Sequence, residues 1–145
     1  MAQRNTMRLD TSGFEVLLKR LDDLGGNVKG AVSDALQQVA ETIKEDTIEA
    51  VDASNLPAHG RYSSGATKES IIRDTRVRWE GDVGWVPVGF DFSKPGAGGY
   101  LITGTPRMRP DAALNKMYKQ KKYMQWLQKG IEDVIMDYIT DKMED

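Results

Sequence analysis

Apolar residues recur along this chain in two rhythms, separated by polar stretches that keep to neither. Phe14, Leu17, Leu18, Leu21 and Leu24 fall three and four positions apart, which predicts a helix over 14–24 with one apolar face. Ser12-Gly13-Phe14-Glu15 precedes that run in the form of a capping box, where a serine hydroxyl and a carboxylate three residues on satisfy reciprocal backbone donors. Gly25-Gly26 stops the helix, and Asn27 stands ready to cap a second one. Val28, Ala31, Val32, Ala35, Leu36, Val39, Ile43 and Ile48 give that second helix a single apolar face, out to Val51.

Over 52–70 the periodicity stops. The run Ala53-Ser54-Asn55-Leu56-Pro57-Ala58-His59-Gly60-Arg61-Tyr62-Ser63-Ser64-Gly65 is small, polar and broken by Pro and Gly. Irregular stretches of that length are uncommon inside compact domains and usually have a function or lack fixed structure. A second such loop, Lys94-Pro95-Gly96-Ala97-Gly98-Gly99, lies further on. With few apolar anchors, both are expected to be mobile in the free subunit and ordered by a partner.

A period of two then takes over. Ile71, Arg73, Thr75, Val77 and Trp79 alternate with Ile72, Asp74, Arg76, Arg78 and Glu80, predicting a strand. Glu80-Gly81-Asp82 turns the chain, and a return strand over 83–92 puts Val86, Val88, Phe90 and Phe92 on one face and Val83 and Trp85 on the other. The parity change beside Pro87 predicts a bulge or an edge position. Tyr100-Leu101-Ile102 reads as a short third strand, and Pro110 opens a short helix over 111–118. A last helix carries Met124, Leu127, Ile131, Val134, Ile135, Tyr138 and Ile139 on its apolar stripe. Together these elements predict an α+β fold. A small antiparallel sheet, a hairpin plus a short third strand, packs with two N-terminal helices and a C-terminal helix. The expected organisation is a single domain over 1–145 with a flexible N-terminal segment 1–11, a long loop 52–70 and a helical region 110–144.

Composition narrows the chemistry. The 145 residues include no cysteine and one histidine, so disulfides and thiolate metal sites are excluded. No secretory signal is visible near the first residues, and no apolar stretch approaches the roughly 18 residues a membrane-spanning helix needs. His59 sits in the polar loop without the fixed partner that a catalytic imidazole requires. No Asp-x-Asp-x-Asp-Gly loop for calcium is present. Gly96-Ala97-Gly98-Gly99 leads into the expected third strand, leaving no helix dipole behind its amides. The Gly, Lys and Ser of 64–70 stand in the wrong order for a phosphate-binding loop. The expectation is no catalytic, cofactor-binding or metal site. Trp79, Trp85, Phe90 and Phe92 sit at strand spacing and read as core.

Charge is close to balanced at −2 but unevenly placed. Arg107, Arg109, Lys116, Lys119, Lys121, Lys122 and Lys129 face only Asp111, whereas Glu132, Asp133, Asp137, Asp141, Glu144 and Asp145 follow against Lys142. Such asymmetry fits a solvated helix with opposite charges at its ends, or a nucleic-acid partner. A small nucleic-acid-binding regulator using the patch from Arg107 to Lys129 is therefore an alternative reading.

Ile102-Thr103-Gly104-Thr105-Pro106-Arg107-Met108-Arg109-Pro110 is the most specific segment. With the Leu-rich helix, the Ala-rich second helix, Ser64-Gly65 leading to Ser70-Ile71, and Tyr100 ahead of Gly104-Thr105, the chain resembles the small tail-completion or head–tail joining proteins of long-tailed phages and prophages. It departs from that family at Leu101, Ile102 and Thr103, where an aromatic and a glutamate usually precede Gly-Thr. The resemblance implies a non-enzymatic virion protein of the neck, assembled in the host cytoplasm. It implies a homo-oligomeric ring, expected to be a hexamer, between a head-completion or connector protein and the tail tube protein. No membrane and no cofactor are implied, and DNA at most passes through the ring. Interface candidates are Arg61, Tyr62, Lys94, Tyr100, Gly104, Thr105, Arg107 and Arg109. Gly104 admits positive φ, while Thr105 and Arg109 each precede a proline and are held extended. The expected result is a stiff turn that presents both arginines outward, toward the acidic stretch 132–145 of a neighbouring copy.

Overall fold

The computed structural model describes residues 6–144. Six helices and a three-stranded antiparallel sheet form the α+β layer that the pattern predicts. Helix α1 spans Glu15–Asp23 and buries Leu21 completely, with Phe14, Leu17 and Leu18 packed against the core. Its cap differs from the expected box. The helix starts one residue late, with Phe14 at the capping position and no side-chain cap. Glu15 reaches back to accept from the Gly13 amide at 3.0 Å, and Asp10 takes the Ser12 amide at 2.9 Å. Helix α2 spans Val28–Asp52 and is capped as expected, the Asn27 side chain accepting from the Gly30 amide at 2.9 Å.

Segment 1–11 was expected to be loose, yet Thr6–Asp10 form strand β1. Met7 and Leu9 alternate inward, an apolar pair too short to read without its partner strand. Residues 1–5 lie outside the described residues. The strand expected over 71–80 is mostly absent. Only Arg78–Glu80 form a strand, β2, and Ile71 makes one isolated bridge to Phe90. Asp74 offers the intervening backbone another partner, accepting from the Arg76 amide at 3.1 Å and from the side chains of Arg76 and Arg78. Such local side-chain bonds compete with a ladder. The Arg76 guanidinium also holds the Asp74 carboxyl down at about 2.

Strand β3, Val83–Gly89, is neither bulged nor at an edge. It is the middle strand of the order β1-β3-β2, with unbroken register from Thr6↔Gly89 to Asp10↔Trp85. Pro87 is tolerated because β2 ends opposite Trp85, so at Pro87 the strand has no neighbour on that side to receive an amide proton. Val86, Val88 and Phe90 are buried as expected, but the strand has ended before Phe92, which is exposed.

The expected third strand is a helix. Helix α4 spans Gly98–Thr103, following the short helix α3, Ser64–Glu69. Leu101 and Ile102 are adjacent and both buried. An alternating strand cannot place neighbours on one core face, but a helix lying between two packed surfaces can. Helix α5, Ala112–Lys119, is capped by Asp111, and α6 spans Lys121–Glu144. The stripe of α6 is shifted slightly: Tyr123, Leu127, Ile131, Ile135 and Ile139 are buried, while Met124, Val134 and Tyr138 flank them.

Helix α2 forms the middle of the molecule, with the inner sheet face on one side and α6 on the other. The Tyr138 hydroxyl donates to Asp34, Gly130 lies against Val39, and the Tyr123 hydroxyl donates to Asp46 at 2.9 Å. These pairs make α2 and α6 antiparallel and fix which ends meet. Beside them the buried Thr47 hydroxyl lies 2.7 Å from the Tyr118 hydroxyl, and burial pushes the Tyr118 phenol up to about 12. Among the described residues, no helix packs on the outer sheet face. There Trp85 is covered by Arg8 at 4.3 Å and Arg78 at 5.8 Å from its ring centroid, with Arg8 also paired to Glu80.

Candidate functional site

The two glycine-containing loops fold against each other, and the stretch expected as a loop over 52–70 holds helix α3. Ser63 caps α3, its hydroxyl accepting from the Ala66 amide at 3.1 Å. The buried Thr67 hydroxyl accepts from the Ala97 amide at 2.8 Å, and the Ser70 hydroxyl donates to the Thr67 carbonyl at 2.7 Å. Ser63, Thr67 and Ser70 stand at helical spacing, so this is a buried stripe of hydroxyls. A search for apolar periodicity passes over it.

This frame holds an aromatic pair at the surface. Tyr62 and Tyr100 meet edge to face with centroids 5.7 Å apart, and Arg61 lies 5.9 Å from the Tyr62 ring centroid. Both tyrosines stay about half exposed, at 45% and 49%. Gly104 then ends α4 with φ 76° and ψ 176°, a region essentially restricted to glycine. Thr105 and Met108 close a tight turn, with the Thr105 amide on the Met108 carbonyl at 2.8 Å and the Met108 amide on the Thr105 carbonyl at 3.1 Å. Two further bonds tie the turn to its base: the Asp111 amide donates to the Leu101 carbonyl, and the Asn115 side chain donates to the Ile102 carbonyl. Arg107 and Arg109 lie exposed on this turn, and neither joins a salt bridge among the described residues.

The structure therefore brings Arg61, Tyr62 and Tyr100 into contact, and gives Gly104 and Thr105 the work of shaping the turn that carries the two arginines. Lys94 lies apart, on an open depression with Ala66, Glu69, Arg73 and Pro95. Sequence reasoning missed Met108, exposed at the same turn, and Trp126, which leans on Tyr123 at 5.5 Å from an exposed side of α6. Trp126 falls off the apolar stripe, so nothing in the periodicity points to it.

Because α2 and α6 are antiparallel, the start of α6 lies with the end of α2 and with α5. That end of the molecule gathers Lys116, Lys119, Lys121 and Lys122, all exposed, with the arginine-bearing turn of Arg107 and Arg109 tied to α4 and α5. The end of α6 lies instead beside α1, where the Arg20 guanidinium approaches the Met143 sulfur at 3.6 Å. Asp137, Asp141 and Glu144 are exposed there and form no salt bridge among the described residues. The helix dipole favours anions at a helix start and cations at its end. Helix α6 carries the reverse at both ends, save for Lys142, at a cost to its own stability.

His59 is exposed and makes no hydrogen bond among the described residues. Among those residues no group of three or more His, Cys, Asp or Glu side chains is placed to hold a metal ion, and no helix is long and apolar enough to cross a membrane. No protein-family model, curated protein or solved structure matches this chain.

Proposed function

We propose that the protein is a structural subunit of the neck of a long-tailed phage or prophage, a tail-completion or head–tail joining protein that works as a homo-oligomeric ring. The observation that carries this reading is the separation of unpaired charge, basic at the Arg107–Arg109 turn and acidic at the end of α6. A ring subunit needs one surface that meets a different surface on its neighbour, and a molecule with two dissimilar, complementary ends supplies both. The resemblance of the segments around Ser64-Gly65, Tyr100 and Gly104-Thr105 to joining proteins gives the reading its place in the particle, between a connector and the tail tube. No enzymatic step belongs to it. The cations of α5 and α6 also suit a nucleic-acid regulator, but the acidic end and the net charge of −2 oppose approach to a polyanion.

The test is electron microscopy of a lysate of the encoding phage lacking this protein. Full heads and free tails, unjoined, are expected. Intact infectious particles would contradict the reading.

A further inference from the structure

We infer that the acidic end of a second copy, the last two turns of α6, docks on the surface formed by Arg61, Tyr62, Tyr100, Arg107 and Arg109. This rests on the reading that the chain self-assembles and names the contact by which it does so. Charge complementarity is the first support. Arg107 and Arg109 at one end, and Asp137, Asp141 and Glu144 at the other, are exposed and lack ionic partners among the described residues. Their placement opposes the dipole of α6, so it does not serve the isolated helix. A neighbour's opposite charge would offset that cost.

Apolar anchors sit at both ends as well. The Tyr62–Tyr100 pair and Met108 are exposed at the basic end. Met143, 60% exposed, and Leu24 stand at the acidic end. A methionine thioether packs favourably on an aromatic edge, and Tyr and Arg are the side chains that most often dominate interfaces. Rigidity is the third support. The arginine turn is fixed by Gly104, two prolines and the bonds to α4 and α5, so little freedom is lost when it docks. The two ends differ from each other, so the contact is head-to-tail, and it yields a ring where its rotation closes.

The test uses the full chain and two charge-reversed variants, R107E/R109E and D137K/D141K. Each gives the proposed docking surface and the last turns of α6 charge of like sign. Sedimentation of either alone should show a self-association midpoint raised about a hundredfold, as like charges across an interface strongly disfavour it. Both should fold as the parent does, since exposed charges contribute little to stability. D137K/D141K should melt slightly higher, because it removes anions from a helix end. Mixed in equal amounts, the two variants should assemble together, the acidic end of one on the basic end of the other. If either variant alone assembles like the parent, or if the mixture stays dissociated, the contact lies elsewhere while the ring reading stands. If the parent itself never self-associates, both fall. Intact assembly of R107E/R109E with salt-dependent loss of duplex DNA binding would overturn the inference in favour of a nucleic-acid surface.

Discussion

Replacing Gly104 with valine should lower the free energy of unfolding by about 3 kcal/mol, from backbone strain and crowding together. At φ 76° and ψ 176° the residue occupies a region that side-chain-bearing residues avoid. A Cβ there would also stand 2.8 Å from the Met108 carbonyl oxygen and 2.8 Å from Pro110 Cδ, inside contact distance of groups that cannot swing away. Gly25 provides the control, having φ 78° but nothing within 4 Å of an added Cβ. Gly25→Val carries only the conformational part and should be clearly milder. Urea denaturation measures both. Equal losses for the two variants would show that the turn yields at Gly104 and is not the stiff platform described.

Phe90→Ala should be the most damaging single truncation near the site, costing about 3–5 kcal/mol as large-to-alanine changes in a packed core do. Phe90 is 1% exposed. Its ring lies 6.2 Å from that of Tyr118, and the backbone of Gly98 presses so closely that a Cβ would meet the ring at 2.5 Å. The side chain thus joins the end of the sheet to the start of α4 and to α5. Its loss should loosen α4, and with it Tyr100 and the Gly104 turn. Faster hydrogen exchange over 98–104, with α1 little changed, is the expected accompaniment. A loss below about 1 kcal/mol would mean that the site collapses without leaving a cavity.

What could be read from the sequence follows from where apolar periodicity is long enough to be seen. Helices α1, α2 and α6 carry apolar residues at helical spacing over several turns, Asn27 announces the cap of α2, and Pro110 the start of α5, although Asp111 caps that helix instead of lying in it. The sheet was legible in β3, the turn before it and the last three residues of the strand expected over 71–80, which form β2. Strand β1 escapes because Met7 and Leu9 alone mark its inner face, and its partner is distant in sequence. Alternation over 71–79 misleads because Asp74 binds the neighbouring backbone and two arginines in place of a ladder. Helix α3 escapes because Ser63, Thr67 and Ser70 form its buried side, and α4 because six residues are too few to show a period. At the site, the Gly-Pro punctuation of 104–110 pointed to a turn, and the structure has one, with Arg107 and Arg109 exposed on it. The packing of Tyr62 on Tyr100 joins segments from separate loops and was not readable in either.

Self-assembly through two unlike, oppositely charged ends is what we propose for this chain. Imaging the purified full-length protein by electron microscopy at low and high ionic strength tests it most directly, because screening weakens contacts between exposed charges. Closed rings of one uniform size are expected at low salt, unaffected by nuclease treatment and dissociating as salt is raised. Monomers at every concentration and at both ionic strengths would contradict it.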